Sequence, residues 1–381
     1  MNPALSNNSD VELIRKSGVK IFITYASCGT GHRRAAEAID NYLRSYNKNL
    51  ELRLIDVLKK SSILFRNIYP YGYALIVNYA PWLWIAGFWI TYTRLLRPII
   101  RCFRFIINRL NTKSFAKFII KENPDIIIST HFLTSEVSTH LKRTQKINSK
   151  IITVITDFGI HPFWITEATD MYVVASDFTK KQLVLEGIKE NRIKEFGIPI
   201  DIKFSKQYER DALCRKLGLQ QDKFTVLITS GSFSIGPIEK IVDLLYKDIQ
   251  LLVVCAHNKS LYKRLNNKNY PNARVFGFID NIQELMAISD IIVTKPGGLT
   301  ISESLAMELL PVFIAVIPGQ ETENIKFLAA SGIGIYVRNI NTLRDTILDF
   351  KGNPYKLGKI KENIGKVKKP LATQELCRAI C

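Results

Sequence analysis

Thr294-Lys295-Pro296-Gly297-Gly298-Leu299-Thr300-Ile301-Ser302-Glu303, followed by Pro318-Gly319-Gln320-Glu321, is the stretch on which the fold turns. The preceding run Asp290-Ile291-Ile292-Val293 reads as a buried strand that enters a glycine turn and then a helix. Amide groups at a helix start have no intrahelical partner, and the helix dipole favours an anion there. Glu303 lies one turn further in, where a carboxylate can accept both hydroxyls of a ribose. Gln320, Glu321 and Asn324 open a second helix, and their amide and carboxylate groups suit the hydroxyls of a sugar. Capping alone would also explain an acid in a first turn. The glycine turn taken with Glu303 and Pro-Gly-Gln-Glu reads as a cradle for a nucleoside diphosphate.

Outward from this stretch, short β-rich runs alternate with helix-length segments, which predicts βαβ units and parallel sheets. Strands are expected near 20–24, 51–55, 125–129, 150–155 and 171–175 in the first half. In the second they are expected near 224–230, 251–255, 274–276, 291–293, 312–315 and 334–337. Gly197-Ile198-Pro199-Ile200 and the polar stretch to about Asp222 read as a linker. A chain of 381 residues fits two domains better than one core. The expected fold class is therefore α/β, with two Rossmann-like domains and a ligand cleft between them. The expected divisions are 1–205, 206–355, and a basic segment 356–381, helical and packing back toward the N-terminal domain.

Two further loops follow first strands. Ser27-Cys28-Gly29-Thr30-Gly31-His32 leads into a helix with Ala35, Ala36, Ile39 and Leu43 on its inner side. Ligands in α/β proteins sit at this sheet edge, so His32 is a candidate general base, kept neutral by the helix start. Thr229-Ser230-Gly231-Ser232-Phe233-Ser234 offers small residues and amides to a phosphate, without a Walker or dinucleotide signature. His131, Asp157 and His161 also follow expected strands and are possible lining residues, whereas His140 and His257 read as structural or surface groups. No Asp-x-Asp or His/carboxylate cluster of metal spacing occurs, so no catalytic metal and no resident cofactor are expected.

The charge is uneven. Lys and Arg number 53 against 34 Asp and Glu, a net charge of +19 that calls for an anionic partner. From Val57 to Lys121 there are eleven Lys and Arg with no Asp or Glu, together with Trp82, Trp84 and Trp89. Cations mixed with Trp and Tyr beside a long apolar run fit anionic membrane lipid better than a nucleic-acid groove. The 27 uncharged residues 67–93 raise the question of a span. Pro70, Pro81 and the need to keep strands of one sheet on one side argue instead for a surface-lying or re-entrant hairpin. Arg94, Arg97, Arg101 and Arg104 then recur at helical spacing opposite Ile99, Phe103, Ile106 and Leu110. That pattern is either an interfacial helix or a helix packed on the sheet with a solvated arginine face. The six cysteines show no metal or disulfide spacing, and no signal peptide is legible, which suits a cytosolic setting. The expected location is peripheral, on the cytoplasmic face of a membrane.

Eight segments in order carry a family resemblance: 27–39, 129–137, 156–164, 196–200, 253–261, 275–286, 294–306 and 318–324. They resemble the monogalactosyldiacylglycerol synthase and processive diacylglycerol glucosyltransferase group of glycosyltransferase family 28, which has the GT-B fold. The resemblance implies inverting transfer of a hexose from UDP-glucose or UDP-galactose to diacylglycerol. It places His32 at the base position, Gly297, Gly298, Leu299 and Thr300 on the diphosphate, and Glu303 on the ribose. The backbone near Phe278 and Ile279 would read uracil, with Ser230 and Gly231 beside the nucleotide. Gln320, Glu321 and Asn324 would contact the donor sugar, and 57–121 would meet the membrane through Trp82, Trp84, Trp89 and the four arginines. Other expectations left open are a polyprenyl-diphosphate acceptor, a UDP-sugar epimerase, and a non-catalytic membrane-bound sensor. The first loop, Cys28-Gly29-Thr30-Gly31-His32, departs from the consecutive glycines of plant members and leaves glucose and galactose both open.

Overall fold

A computed structural model describes residues 18–93, 95–229 and 237–380. The candidates Arg94, Ser230 and Gly231 lie outside the described residues. Two compact units divide the chain: Met1–Ile202 with Pro318–Gln320 and Leu371–Cys381, and Lys203–Ile317 with Glu321–Pro370.

The first unit begins with β1 (Lys20–Tyr25), α1 (Thr30–Tyr46) and β2 (Glu51–Asp56), and continues with four helices in sequence. These are α2 (Ile63–Tyr79), α3 (Pro81–Tyr92), α4 (Arg97–Asn111) and α5 (Lys113–Glu122). Then come β3 (Ile126–Ser129), α6 (Phe132–Arg143), β4 (Lys150–Val154), β5 (Met171–Val173), α7 (Asp177–Leu185) and β6 (Ile193–Lys194). The strands order as β2-β1-β3-β4-β5-β6, every pairing parallel. Strands covered on both faces need continuous apolar runs, and Ile126, Ile127 and Ile128 of β3 are buried accordingly. The strand order reverses between β1 and β3, which opens a crevice at their carboxyl ends. β6 was not expected, because Ile193 stands among Arg192, Lys194 and Glu195 with no apolar run around it.

The second unit follows the same logic, with α8 (Arg210–Leu217), β7 (Thr225–Thr229), α9 (Ile238–Leu245), β8 (Gln250–Val254), α10 (Lys259–Asn267) and β9 (Ala273–Phe276). It continues with α11 (Ile282–Ala287), β10 (Ile291–Thr294), α12 (Gly298–Ala306), β11 (Leu310–Phe313), α13 (Gln320–Ala330) and β12 (Ile335–Tyr336). α14 (Leu343–Gly352) and α15 (Pro354–Val367) complete it. Its parallel order β12-β11-β10-β7-β8-β9 reverses between β7 and β10, so the turn after β10 stands at this sheet's own switch point. The chain then returns to the first unit as α16 (Ala372–Ile380), where Leu376, Cys377 and Ile380 pack with Ala36, Ile39 and Leu43 of α1. The basic segment 356–381 is thus divided: its first part, through Pro370, belongs to the second unit.

Candidate active site

In the first unit the glycine loop after β1 turns through Gly29 at φ 95°, a left-handed backbone that a side chain would strain. That turn delivers His32 into the opening turn of α1, over the ends of β3 and β4. Its Nδ1 is 2.9 Å from the Thr130 carbonyl and 2.8 Å from Thr156 Oγ1. A carbonyl only accepts, so Nδ1 carries the proton and Nε2 keeps its lone pair. Thr130 Oγ1 donates in turn to the His32 carbonyl at 2.9 Å, so backbone and ring are both clamped. Burial pushes the imidazole's pKa down to about 4, although the bond to Thr130 opposes that shift. The ring is therefore neutral at physiological pH and ready to accept a proton.

His131 lies edge-on to His32, with ring centroids 4.6 Å apart. Its Nδ1 accepts from the Leu133 amide and caps α6, while burial, then the neighbouring His32 and Arg104, hold it neutral. His161 is committed elsewhere. Its Nδ1 accepts from the Phe163 amide at 3.2 Å, so Nε2–H faces Thr91 Oγ1 of α3 at 2.8 Å. Phe88 and Tyr92 of α3 pack on the ring, and Tyr92 donates to the Ile160 carbonyl. Of the possible lining histidines, His161 is thus an anchor for α3, and burial drives its pKa to about 3. Asp157 sits on the turn after β4, directly after Thr156, and is partly buried.

In the second unit, β10 runs through Lys295-Pro296-Gly297 into α12. Ile301 N–H is the first amide bound back to this turn, at Gly297 O, so those of Gly298, Leu299 and Thr300 precede the helix's own bonding. Gly297 has an ordinary φ of −74°, and a Cβ built on it would meet no atom within 4 Å. Glycine here leaves open space over the helix start and serves no backbone demand. Asn324, fully buried, donates to Pro296 O at 2.9 Å and holds the turn in place. Its amide nitrogen therefore supports the cradle. Glu303 is buried on α12. Glu321 accepts from the Ile317 amide at 2.6 Å and lies 4.0 Å from Lys295 Nζ. Burial raises its pKa and lowers that of Lys295, each opposed by the other's charge. Lys295 had no assigned role, though its place just before the glycines was a legible signal: a cation beside the anion cradle.

Phe278 follows β9 and presents a half-exposed ring stacked on His257 at 4.5 Å and 14°, a flat platform at the sheet edge. Ile279 is partly buried beside it. His257, expected to be structural or surface, supplies half of that platform. Gln320 groups with Pro318 and Gly319 in the first unit, where Trp84 Nε1 donates to Pro318 O at 2.9 Å.

The helices of 57–121 present an exposed apolar face, but not in the expected sense. Arg97 pairs with Glu186 at 2.6 Å, Arg101 donates to Ile165 O, and Arg104 pairs with Glu136 at 3.1 Å while lying 3.8 Å over the Phe163 ring. The three arginines therefore face the protein and not solvent or lipid, because acceptors on α6, at the C-terminal cap of α7 and in the 165 loop await them there. Turned outward instead are Ile99, 68 % exposed, and Phe103, 67 % exposed, with Leu95, Ile106 and Leu110. Trp82 and Trp89 are exposed and Trp84 is turned in. Among the described residues no helix is long and apolar enough to cross a membrane.

Comparison with known proteins agrees with this architecture. The family model for monogalactosyldiacylglycerol (MGDG) synthase matches residues 32–200, and that for the glycosyltransferase family 28 C-terminal domain matches 225–375. A processive diacylglycerol beta-glucosyltransferase of Staphylococcus epidermidis is 30% identical, covering 94% of this chain and 91% of its own length. That of Staphylococcus carnosus is 28% identical over the same shares. The crystal structure of Acinetobacter baumannii MurG superposes with a TM-score of 0.56 at 14% identity, covering 94% of this chain and 98% of its own, which speaks to the GT-B fold alone. With both halves matched in order and curated relatives aligned almost end to end, the chain belongs to the processive diacylglycerol beta-glucosyltransferase family of glycosyltransferases.

Proposed function

We propose that the chain transfers a hexose, glucose or galactose, from a UDP-sugar to the free hydroxyl of diacylglycerol, with inversion, at a membrane surface. The near end-to-end similarity to curated diacylglycerol glucosyltransferases carries this reading. The open Nε2 of His32 supports it chemically. As the acceptor oxygen attacks the anomeric carbon and the bond to UDP breaks, the alcohol proton becomes acidic and passes to Nε2. A weak base suffices for so late a transfer, while Thr130 and Thr156 hold Nδ1 in the required tautomer.

UDP leaves as an anion. The amides opening α12 and the Lys295 ammonium are the groups that would stabilise its diphosphate. Glu303 would bind the ribose, the Phe278–His257 platform the uracil, and Gln320 and Glu321 the sugar hydroxyls. The exposed apolar face of α2–α4, with Trp82 and Trp89, would seat the protein peripherally on the cytoplasmic face of a membrane containing anionic lipid. No nucleic acid, metal or other cofactor enters the reaction.

Purified protein given diacylglycerol vesicles and each UDP-sugar tests the proposal, with products read by mass and sugar analysis. A β-glycosyldiacylglycerol formed equally well in EDTA is expected. Transfer only to a polyprenyl diphosphate, or turnover of UDP-sugar with no lipid present, would overturn it.

A further inference from the structure

α4, α5 and α6 border a half-open cavity of about 220 Å³ that plays no part in the site above; His32 does not line it. Phe105, Ala116, Ile120, Val137 and Leu141 give it apolar walls. A cavity of roughly 150 Å³ with such walls accommodates a benzene molecule, so this one has room for part of an acyl chain. Its rim is basic. Arg109, Lys113, Lys117 and Lys146 border it, all exposed, and no ion pair among the described residues involves them.

Lys113 and Lys117 stand one turn apart on α5, a like-charge spacing that is unfavourable unless an anion lies between. The one carboxylate in the lining, Glu136, is already held by Arg104 at 3.1 Å and Asn108 at 2.9 Å. His140 is in the lining too, edge-on to Phe105, and its buried Nδ1 has no hydrogen-bond partner. Burial first, then Arg109, Arg143 and Lys146, lower its pKa, so the positive field converges here. Of these, Arg143 is paired with Glu167 at 3.2 Å. Ile106, Ile107 and Leu110, on the same turns of α4 as Arg109, are exposed.

We propose that this cavity binds one anionic phospholipid, an acyl chain inside and the phosphate on the Arg109, Lys113, Lys117 and Lys146 rim. Neutral diacylglycerol would leave four cations unmatched, and free phosphate would leave the apolar interior empty. The proposal rests on the membrane reading above, so its test uses monomeric lipid and is independent of vesicle docking.

Dihexanoyl phosphatidylglycerol below its micelle concentration is titrated into the full chain, with stoichiometry read by native mass spectrometry. One molecule is expected per chain, with dihexanoyl phosphatidylcholine binding about tenfold more weakly or worse. Lys113→Glu with Lys117→Glu should cost at least about tenfold in affinity, and Ala116→Phe should abolish binding. Both lysines are exposed, so the charge variant carries the test if Ala116→Phe fails to fold. Equal binding of the two lipids, full binding by the charge variant, or displacement by inorganic phosphate alone would each overturn the proposal. A wild-type protein that binds the monomeric lipid but does not float with vesicles would sustain it and remove the membrane reading instead.

Discussion

His32 combines a free Nε2 with an Nδ1 locked on Thr130 and Thr156, so its contributions to chemistry and to binding are separable. His32→Ala should lower turnover by about 10²–10⁴-fold, the usual weight of a general base, while UDP affinity measured by calorimetry stays within about twofold. Normal turnover in that variant would remove the base assignment. Thr156→Val leaves the Thr130 carbonyl as the acceptor for Nδ1–H, so a smaller loss, in kcat and not in UDP affinity, is expected. Because burial sets the imidazole's pKa at about 4, the acid limb of kcat/KM should lie well below pH 6.5. A limb at 6.5 would mean that the ring is solvated. His32 was legible because a glycine loop after a first strand narrows where a side chain can point. The role of His161 was not, since its partner Thr91 lies 70 positions away and no local pattern encodes that pairing.

The helix Arg97–Asn111 is the element whose pattern was read correctly and whose orientation was not. Periodicity separates an arginine stripe from an apolar stripe, but it does not say which one faces the protein. Glu136, Glu186 and the Ile165 carbonyl decide that, and all three lie far off in sequence. The Arg104–Glu136 pair is buried enough that desolvation outweighs mutual attraction on both partners: Arg104 falls and Glu136 rises from the ordinary value. Such a pair orients the helix more than it stabilises the fold. Glu136→Ala should therefore cost about 3–5 kcal/mol in urea unfolding by stranding Arg104, and replacing both by Met should recover most of it. The outward stripe gives a second expectation. Ile99→Asp with Phe103→Asp removes two exposed apolar side chains from lipid, each worth about 1.5–3 kcal/mol if fully inserted. Vesicle flotation should fall at least about tenfold with the thermal midpoint unchanged; unchanged flotation would place the lipid contact elsewhere. The parallel sheets, by contrast, were legible almost strand for strand, because strands buried on both faces must be runs of Ile, Val and Leu.

Across the whole molecule the buried histidines are unevenly placed: His32, His131 and His161 all belong to the first unit, whereas His257 of the second is exposed. Each of the three is held neutral, with its folded pKa depressed below the ordinary 6.5, to about 4 for His32 and about 3 for His161. Below pH 6.5 the unfolded chain therefore binds more protons than the folded one, and stability declines with falling pH. Their contribution is complete above about 6.5 and lost progressively from there down toward 4 and 3. At pH 5, His32 and His161 each remove about 2 kcal/mol relative to neutral pH, and His131 adds with the same sign. Carboxyls raised by burial act in the opposite direction, gaining stability as pH falls; among the described residues Glu136 of the first unit and Glu321 of the second are of this kind. A loss of this size is a large share of a typical domain's stability, so the first unit should unfold before the second on mild acidification. Calorimetry from pH 7.5 to 5 should show one transition moving down in temperature while the other holds. Limited proteolysis at pH 5 should then leave a protected fragment spanning the β7–β12 sheet. His161→Gln, which keeps a donor toward Thr91 without an ionisable ring, should flatten the pH dependence of the first transition by about one proton. If both transitions shift together, or if that variant keeps the full slope, the buried histidines do not govern acid stability.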